Sequence, residues 1–141
     1  MAFGVARGVA AVDRLVEELA WLWGPDGPHD PAAFLSEFSR RVIGRRVAPE
    51  RELSPELEQG VRTLMVERQP SEADPPLDVL RAAPFPKLVV SGAHSAAFDA
   101  VCDVLEERLR AERAVLSGAQ HSVPRAPGFN EVLAEFLARV A

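Results

Sequence analysis

The chain has 141 residues, of which 48% are hydrophobic and 26% charged, and carries a net charge of −5. That length is enough for one ordinary domain with a real core, and that balance excludes wholesale disorder. Arg7, Arg14, Arg40, Arg41, Arg45 and Arg46 are interspersed with acids or form only short pairs, so no basic stripe for nucleic acid is present.

The single cysteine, Cys102, excludes an internal disulfide and fits a reducing compartment. No apolar run reaches the roughly 20 residues that a bilayer span needs. Arg7 and Asp13 interrupt the apolar N-terminal stretch, and it lacks the basic, apolar, then small-residue order of a secretion signal. The expected location is cytoplasmic.

In chain order, Val9 to Trp23 predicts a first helix. Val12, Leu15, Val16, Leu19, Leu22 and Trp23 recur at three- and four-residue steps on one face, with Trp21 off that stripe. G-P-D-G-P stops it. Asp30-Pro31 is a cap-then-proline start for a second helix, with Phe34, Leu35, Phe38 and Val42 on its apolar side and Gly44 at its end. Ser54-Pro55 repeats that signal for a third, faced by Leu57, Val61, Leu64 and Met65 and reaching about Arg68. Leu77 to Ala83 predicts a short fourth helix.

At Pro84 the period changes. Lys87 to Ser91 is a short, β-branched apolar run closed by Gly92, which predicts a strand buried on both faces. Ser95 to Arg110 predicts a helix with Phe98, Val101, Cys102, Leu105 and Leu109 on one stripe and Glu106 and Glu107 on a solvated side. Arg113 to Leu116 predicts a second strand. Gly118 and Pro124 bracket a loop holding His121. Phe129 to Val140 predicts the last helix, faced by Val132, Leu133, Phe136, Leu137 and Val140. Two strands joined by a helix should be parallel neighbours. Two such strands alone leave faces and edges open, so this unit calls for further strands.

These residues resemble the C-terminal half of the α/β-hydrolase fold family. P-F-P-K-L-V-V-S-G-A-H is similar to that family's seventh strand and following turn. R-A-V-L-S-G-A-Q-H-S is similar to its eighth strand and histidine loop, and P-G-F-N-E-V-L-A-E-F-L to its final helix. The resemblance implies an α/β fold class: a partial α/β-hydrolase fold, with a helical cap or lid over residues 1–83 and a parallel β-α-β-α portion of the core over 84–141. The implied function is that of a serine hydrolase acting on an ester, amide or similar small apolar substrate, with no cofactor and no metal.

Under that resemblance His121 falls on the catalytic histidine, the general base of the triad. The acid should fall near Ser95, which carries no charge; Asp99 is the nearest carboxylate and Asp103 the next. No G-x-S-x-G occurs, and the oxyanion loop is missing. Ala93-His94-Ser95-Ala96-Ala97 is a local small-x-Ser-x-small match. However, the short run from Ser95 to His121 leaves no room for intervening strands, so Ser95 reads first as a helix cap. His94 reads as a turn residue or a support to His121, His29 as a solvated loop residue, and Cys102 as a buried, inert thiol. Trp21, Trp23, Phe34 and Phe38 are candidates to line an acyl pocket as well as to pack.

The expectation is thus a portion of a hydrolase lacking its nucleophile and inactive alone: a truncated product, a fragment, or a half that needs a partner. The partners this implies are a small-molecule substrate once the site is completed and a missing N-terminal half or a second copy, without nucleic acid or membrane. The alternative is a non-catalytic helical binding or dimerisation module with a βαβ appendage.

Overall fold

The computed structural model describes residues 2–44, 47–48 and 52–140. Arg45 and Arg46, part of the short basic pairs noted above, lie outside the described residues. A 3₁₀ turn at Phe3–Ala6 precedes α1 (Ala10–Leu22), α2 (Pro31–Phe38), α3 (Pro55–Val66) and α4 (Leu77–Ala82). β1 (Leu88–Ser91), α5 (Ala96–Leu109), β2 (Glu112–Val115) and α6 (Phe129–Val140) complete the chain. No helix among the described residues is long and apolar enough to cross a membrane.

The helix starts follow local chemistry. The Asp30 carboxylate accepts from the backbone N–H groups of Ala32 and Ala33, both at 3.0 Å, and Pro31 occupies the first helical position. Ser54 caps α3 in the same manner through the Leu57 N–H at 3.3 Å. α2 continues as a π turn over Ser39–Ile43, which rotates Val42 into the core, and stops at Gly44 in the left-handed region (φ 73°).

The face of α1 packs as its spacing dictates, with Val12, Leu15, Leu19 and Leu22 all buried. They join Phe34, Val42 and Val61 from the helical segment and Ala97, Phe98 and Val101 from α5 in one hydrophobic core. The helices before Pro84 and the βαβ unit after it therefore share apolar contacts. The 3₁₀ turn at Phe3 was not anticipated. Its Phe3 ring meets Phe98 edge-on at 5.3 Å, so the N-terminal segment plugs into this core.

β1 and β2 pair in parallel, with Val89 opposite Arg113 and Ser91 opposite Val115. Alternation along the strands then puts Val89, Ser91 and Arg113 on one face. Arg113 there donates to the Ser91 hydroxyl at 3.0 Å and pairs with Asp103 of α5 at 3.1 Å, so α5 covers that face. Arg139 of α6 reaches Glu112, which points to the opposite face, at 2.6 Å. α5 thus makes the crossover on one side of the sheet, while α6 reaches the other side through this exposed ion pair.

Two expectations are corrected here. β1 is not buried on both faces, because Leu88, Val89 and Val90 are only half-buried. β2 begins one residue earlier than the apolar run and is mostly exposed or half-buried. Both differences have one cause: a two-stranded sheet gives each strand a single neighbour. The last helix shows the same shortage of cover, with Phe136 buried but Leu137 and Val140 exposed. Leu57 also faces solvent rather than the core.

Candidate functional site: a histidine at the rim of an apolar cleft

In a parallel sheet the loops that leave the carboxyl ends of the strands collect on one side, where ligands of α/β folds bind. Here those loops are Gly92–Ser95 after β1 and Leu116–Ser122 after β2. Leu116 N–H donates to the Ser91 carbonyl at 2.8 Å, carrying the pairing one step past the strands. The two loops then cross at Gly92. A Cβ on that residue would run into the Gln120 backbone, with the Gln120 N and C atoms at 2.8 Å. Only glycine fits this approach.

Each loop then turns through a non-glycine residue in the left-handed region: Ala93 at φ 50° and Gln120 at φ 53°. Such residues carry backbone strain of order 1–3 kcal/mol and persist where surrounding packing fixes them. Each directly precedes a histidine. His94 and His121 thereby reach the same aromatic ring, Phe98 of α5. His94 lies 4.7 Å from its centroid, and His121 stacks at 6.2 Å with an interplanar angle of 23°.

His121 forms the rim of a cleft of about 340 Å³. The walls are Phe3, Leu19, Trp23, Phe38 and Phe98. Trp23 is fixed by its indole N–H, which donates to the Leu64 carbonyl at 3.1 Å, and by an edge-on contact with Phe38 at 6.2 Å. Of the aromatic candidates for an acyl pocket, Trp23 and Phe38 line the cleft. Phe34 lies buried against Trp23 (5.3 Å), and Trp21 turns away to the surface, where the Arg41 guanidinium stacks on it at 4.6 Å. Of the other wall residues, Phe3 was not named by sequence, and Phe98 was named only for the apolar stripe of its helix. The signal for Phe98 was available, since it stands one helical turn beyond His94.

Burial against this apolar surface is the main cause that lowers the His121 pKa below its ordinary value of 6.5, and the neighbouring His94 pushes it the same way. His121 is therefore neutral at pH 7, with a ring nitrogen able to accept a proton. Both ring nitrogens of His94 are buried without a hydrogen-bond partner among the described residues, as is Oδ1 of Asp99.

Ser95 is placed elsewhere. It borders a separate shallow cleft with Arg14, Glu18 and Ala97, away from the His121 rim. It occupies the position before α5 with extended backbone, but its side chain makes no capping hydrogen bond, unlike Asp30 and Ser54. The structure thus brings His121, His94 and Phe98 together and leaves Ser95 out of that group. Cys102 is buried on α5, and desolvation raises its thiol pKa. Among the described residues, no group of three or more His, Cys, Asp or Glu side chains is arranged to hold a metal ion.

Comparison with protein-family models, with curated proteins and with solved structures returns no match for this chain.

Proposed function

We propose that this chain is the base-bearing portion of a serine hydrolase of the α/β-hydrolase type, with His121 as general base and the apolar cleft as the seat of the substrate's acyl part. The observation that carries this reading is the position of His121 at the mouth of a cleft walled by Phe3, Trp23, Phe38 and Phe98, at the carboxyl end of a parallel strand, where desolvation lowers its pKa. A base used near pH 7 must be uncharged before it acts, and burial against Phe98 favours that state. The cleft removes apolar substrate surface from water and leaves the reactive carbonyl beside the imidazole.

In the completed enzyme, a serine hydroxyl from outside this chain gives its proton to His121 as its oxygen bonds to the carbonyl carbon. His121 then returns that proton to the leaving oxygen or nitrogen as the bond to it breaks, and water repeats the sequence on the acyl-serine. His94, which also contacts Phe98, disfavours a charged His121 and so keeps the base available. Asp99 and Ser95 take no part in this scheme.

The exposed apolar side chains of Val66, Val79, Phe85 and Leu137 favour a second reading, a non-catalytic module that binds through its surface. The two separate on an activated ester. An imidazole beside an apolar cleft attacks p-nitrophenyl acetate unaided: the ring nitrogen bonds to the acyl carbon, p-nitrophenolate leaves, and water hydrolyses the acyl-imidazole. The expected result is slow turnover that His121→Gln removes, that Ser95→Ala leaves unchanged, and that falls in acid as His121 takes up a proton. Turnover lost with Ser95→Ala, or unchanged with His121→Gln, overturns the proposal.

A further inference from the structure

We infer that the His121 cleft selects neutral ligands with an aromatic or branched apolar body and a single hydrogen-bonding head, and that it rejects the corresponding free carboxylates. This deepens the reading just given by naming the substrate class, and it rests on the same cleft.

The size follows from the volume. At about 340 Å³ the cleft is at the small end of ligand pockets, which suits a monocyclic aromatic body with a short head. The shape follows from the walls. Phe3 stands edge-on to Phe98, and Trp23 edge-on to Phe38, so faces and edges of four rings are presented to whatever enters. Flat aromatic bodies use such surfaces better than flexible chains, which lose more rotational freedom on binding.

The charge preference follows from what the lining lacks. The indole N–H of Trp23 is already committed to the Leu64 carbonyl, and no lysine or arginine lines the cleft among the described residues. Arg41, the nearest basic residue in sequence to the lining residue Val42, is occupied by Glu37 at 3.1 Å and by the Trp21 ring. His121 is then the polar side chain that a ligand meets. Neutral at pH 8, its imidazole can hydrogen-bond an ester or amide but has no charge of its own to offset the desolvation of a carboxylate. The net charge of −5 adds to the bias against anions. For a hydrolase this arrangement favours release of the acid product over the neutral substrate.

The test uses the whole chain and two isosteric probes, phenylacetamide and phenylacetate, at pH 8, followed by the indole N–H resonances. The Trp23 signal should shift on titration with phenylacetamide while that of Trp21, on the outer surface, stays fixed. A Kd of about 0.1–1 mM is expected, the range that a ligand this small reaches. Phenylacetate should bind at least about tenfold more weakly, a difference of 1.4 kcal/mol. His121 lies in a loop outside the hydrophobic core, with only one side of its ring against Phe98, so its variants should fold. His121→Lys places a fixed cation at the rim and should reverse the preference, and Val42→Phe should fill the cleft and abolish the Trp23 shift. Equal or tighter binding of phenylacetate by the unmodified chain overturns the inference. So does a Trp23 signal that neither probe moves at 10-fold above the expected Kd. Phenylacetamide binding needs no nucleophile, so this failure is distinct from that of the hydrolase reading, which is decided by ester turnover.

Discussion

Gly92 and Gln120 meet backbone to backbone, with no space between them for a side-chain carbon. This contact binds the loop that carries His94 to the loop that carries His121, and both histidines reach Phe98 because of it.

Replacing Gly92 with alanine should therefore cost about 1–3 kcal/mol, the usual range for an overpacked site. The Gln120 backbone has to yield, and His121 moves with it. Gly60 offers the control. It lies within α3 with nothing within 4 Å of an added Cβ. Gly60→Ala should stabilise the chain by about 0.5–1 kcal/mol through helix propensity and a less flexible unfolded chain. Thermal or urea melts measure both, and equal effects of the two substitutions would contradict this account of the loop crossing.

The three residues before helices that resemble caps in sequence should separate in stability. Asp30 and Ser54 accept backbone hydrogen bonds, whereas Ser95 accepts none. Asp30→Ala should cost about 1 kcal/mol. Ser95→Ala should stay within about 0.5 kcal/mol of the parent, as surface changes without a lost partner do. A loss at Ser95 as large as that at Asp30 would show that its hydroxyl is bonded.

The lowered pKa of His121 sets a pH dependence with a definite sign. The folded state binds fewer protons at this site than the unfolded state, whose histidine has its ordinary value of 6.5. Stability from this group is complete above that value and is lost as pH falls through the folded pKa. Melting temperature should rise between about pH 5 and 7, and His121→Gln should flatten that rise. The His121 ring protons, followed by NMR, should titrate with a midpoint below 6.5. His94→Asn should raise that midpoint but not restore it fully, since burial is the larger cause. A midpoint above 6.5 in the parent chain would remove the basis for a neutral base.

The open sheet predicts self-association. Among the described residues each strand has one free edge, and Val115 of β2 and Leu137 of α6 are more than half exposed, at 53% each. Unpaired edges and uncovered apolar faces recruit further chains. Sedimentation velocity from about 1 to 100 μM should show concentration-dependent association, within the range where such surfaces act. Val115→Lys should reduce it by placing a charge beside the edge. A monomer throughout that range would mean that these edges are better protected than a two-stranded sheet implies.

Sequence by itself determined the local elements. The cap-then-proline pairs Asp30-Pro31 and Ser54-Pro55, the three- and four-residue steps of α1 and the change of period at Pro84 each state their structure within a few residues. Those signals arise from interactions between near neighbours in the chain. The parallel strand–helix–strand order also followed from segment lengths and connection rules. Tertiary structure alone decided the site. Nothing near Phe3 in sequence shows that it meets Phe98, and nothing near Gly92 shows that it faces Gln120. Spacing could not separate Trp21 from Trp23 as a cleft wall either, because the choice depends on where α2 and α3 pack. Ser95 and His121 both follow strands and both resemble site residues, yet they border different clefts, because α5 begins between the serine and the Phe98 ring on which the histidine rests. The histidine's state depends on that distant ring: the His121 pKa is lowered chiefly by desolvation at a surface assembled from parts of the chain that only folding brings together.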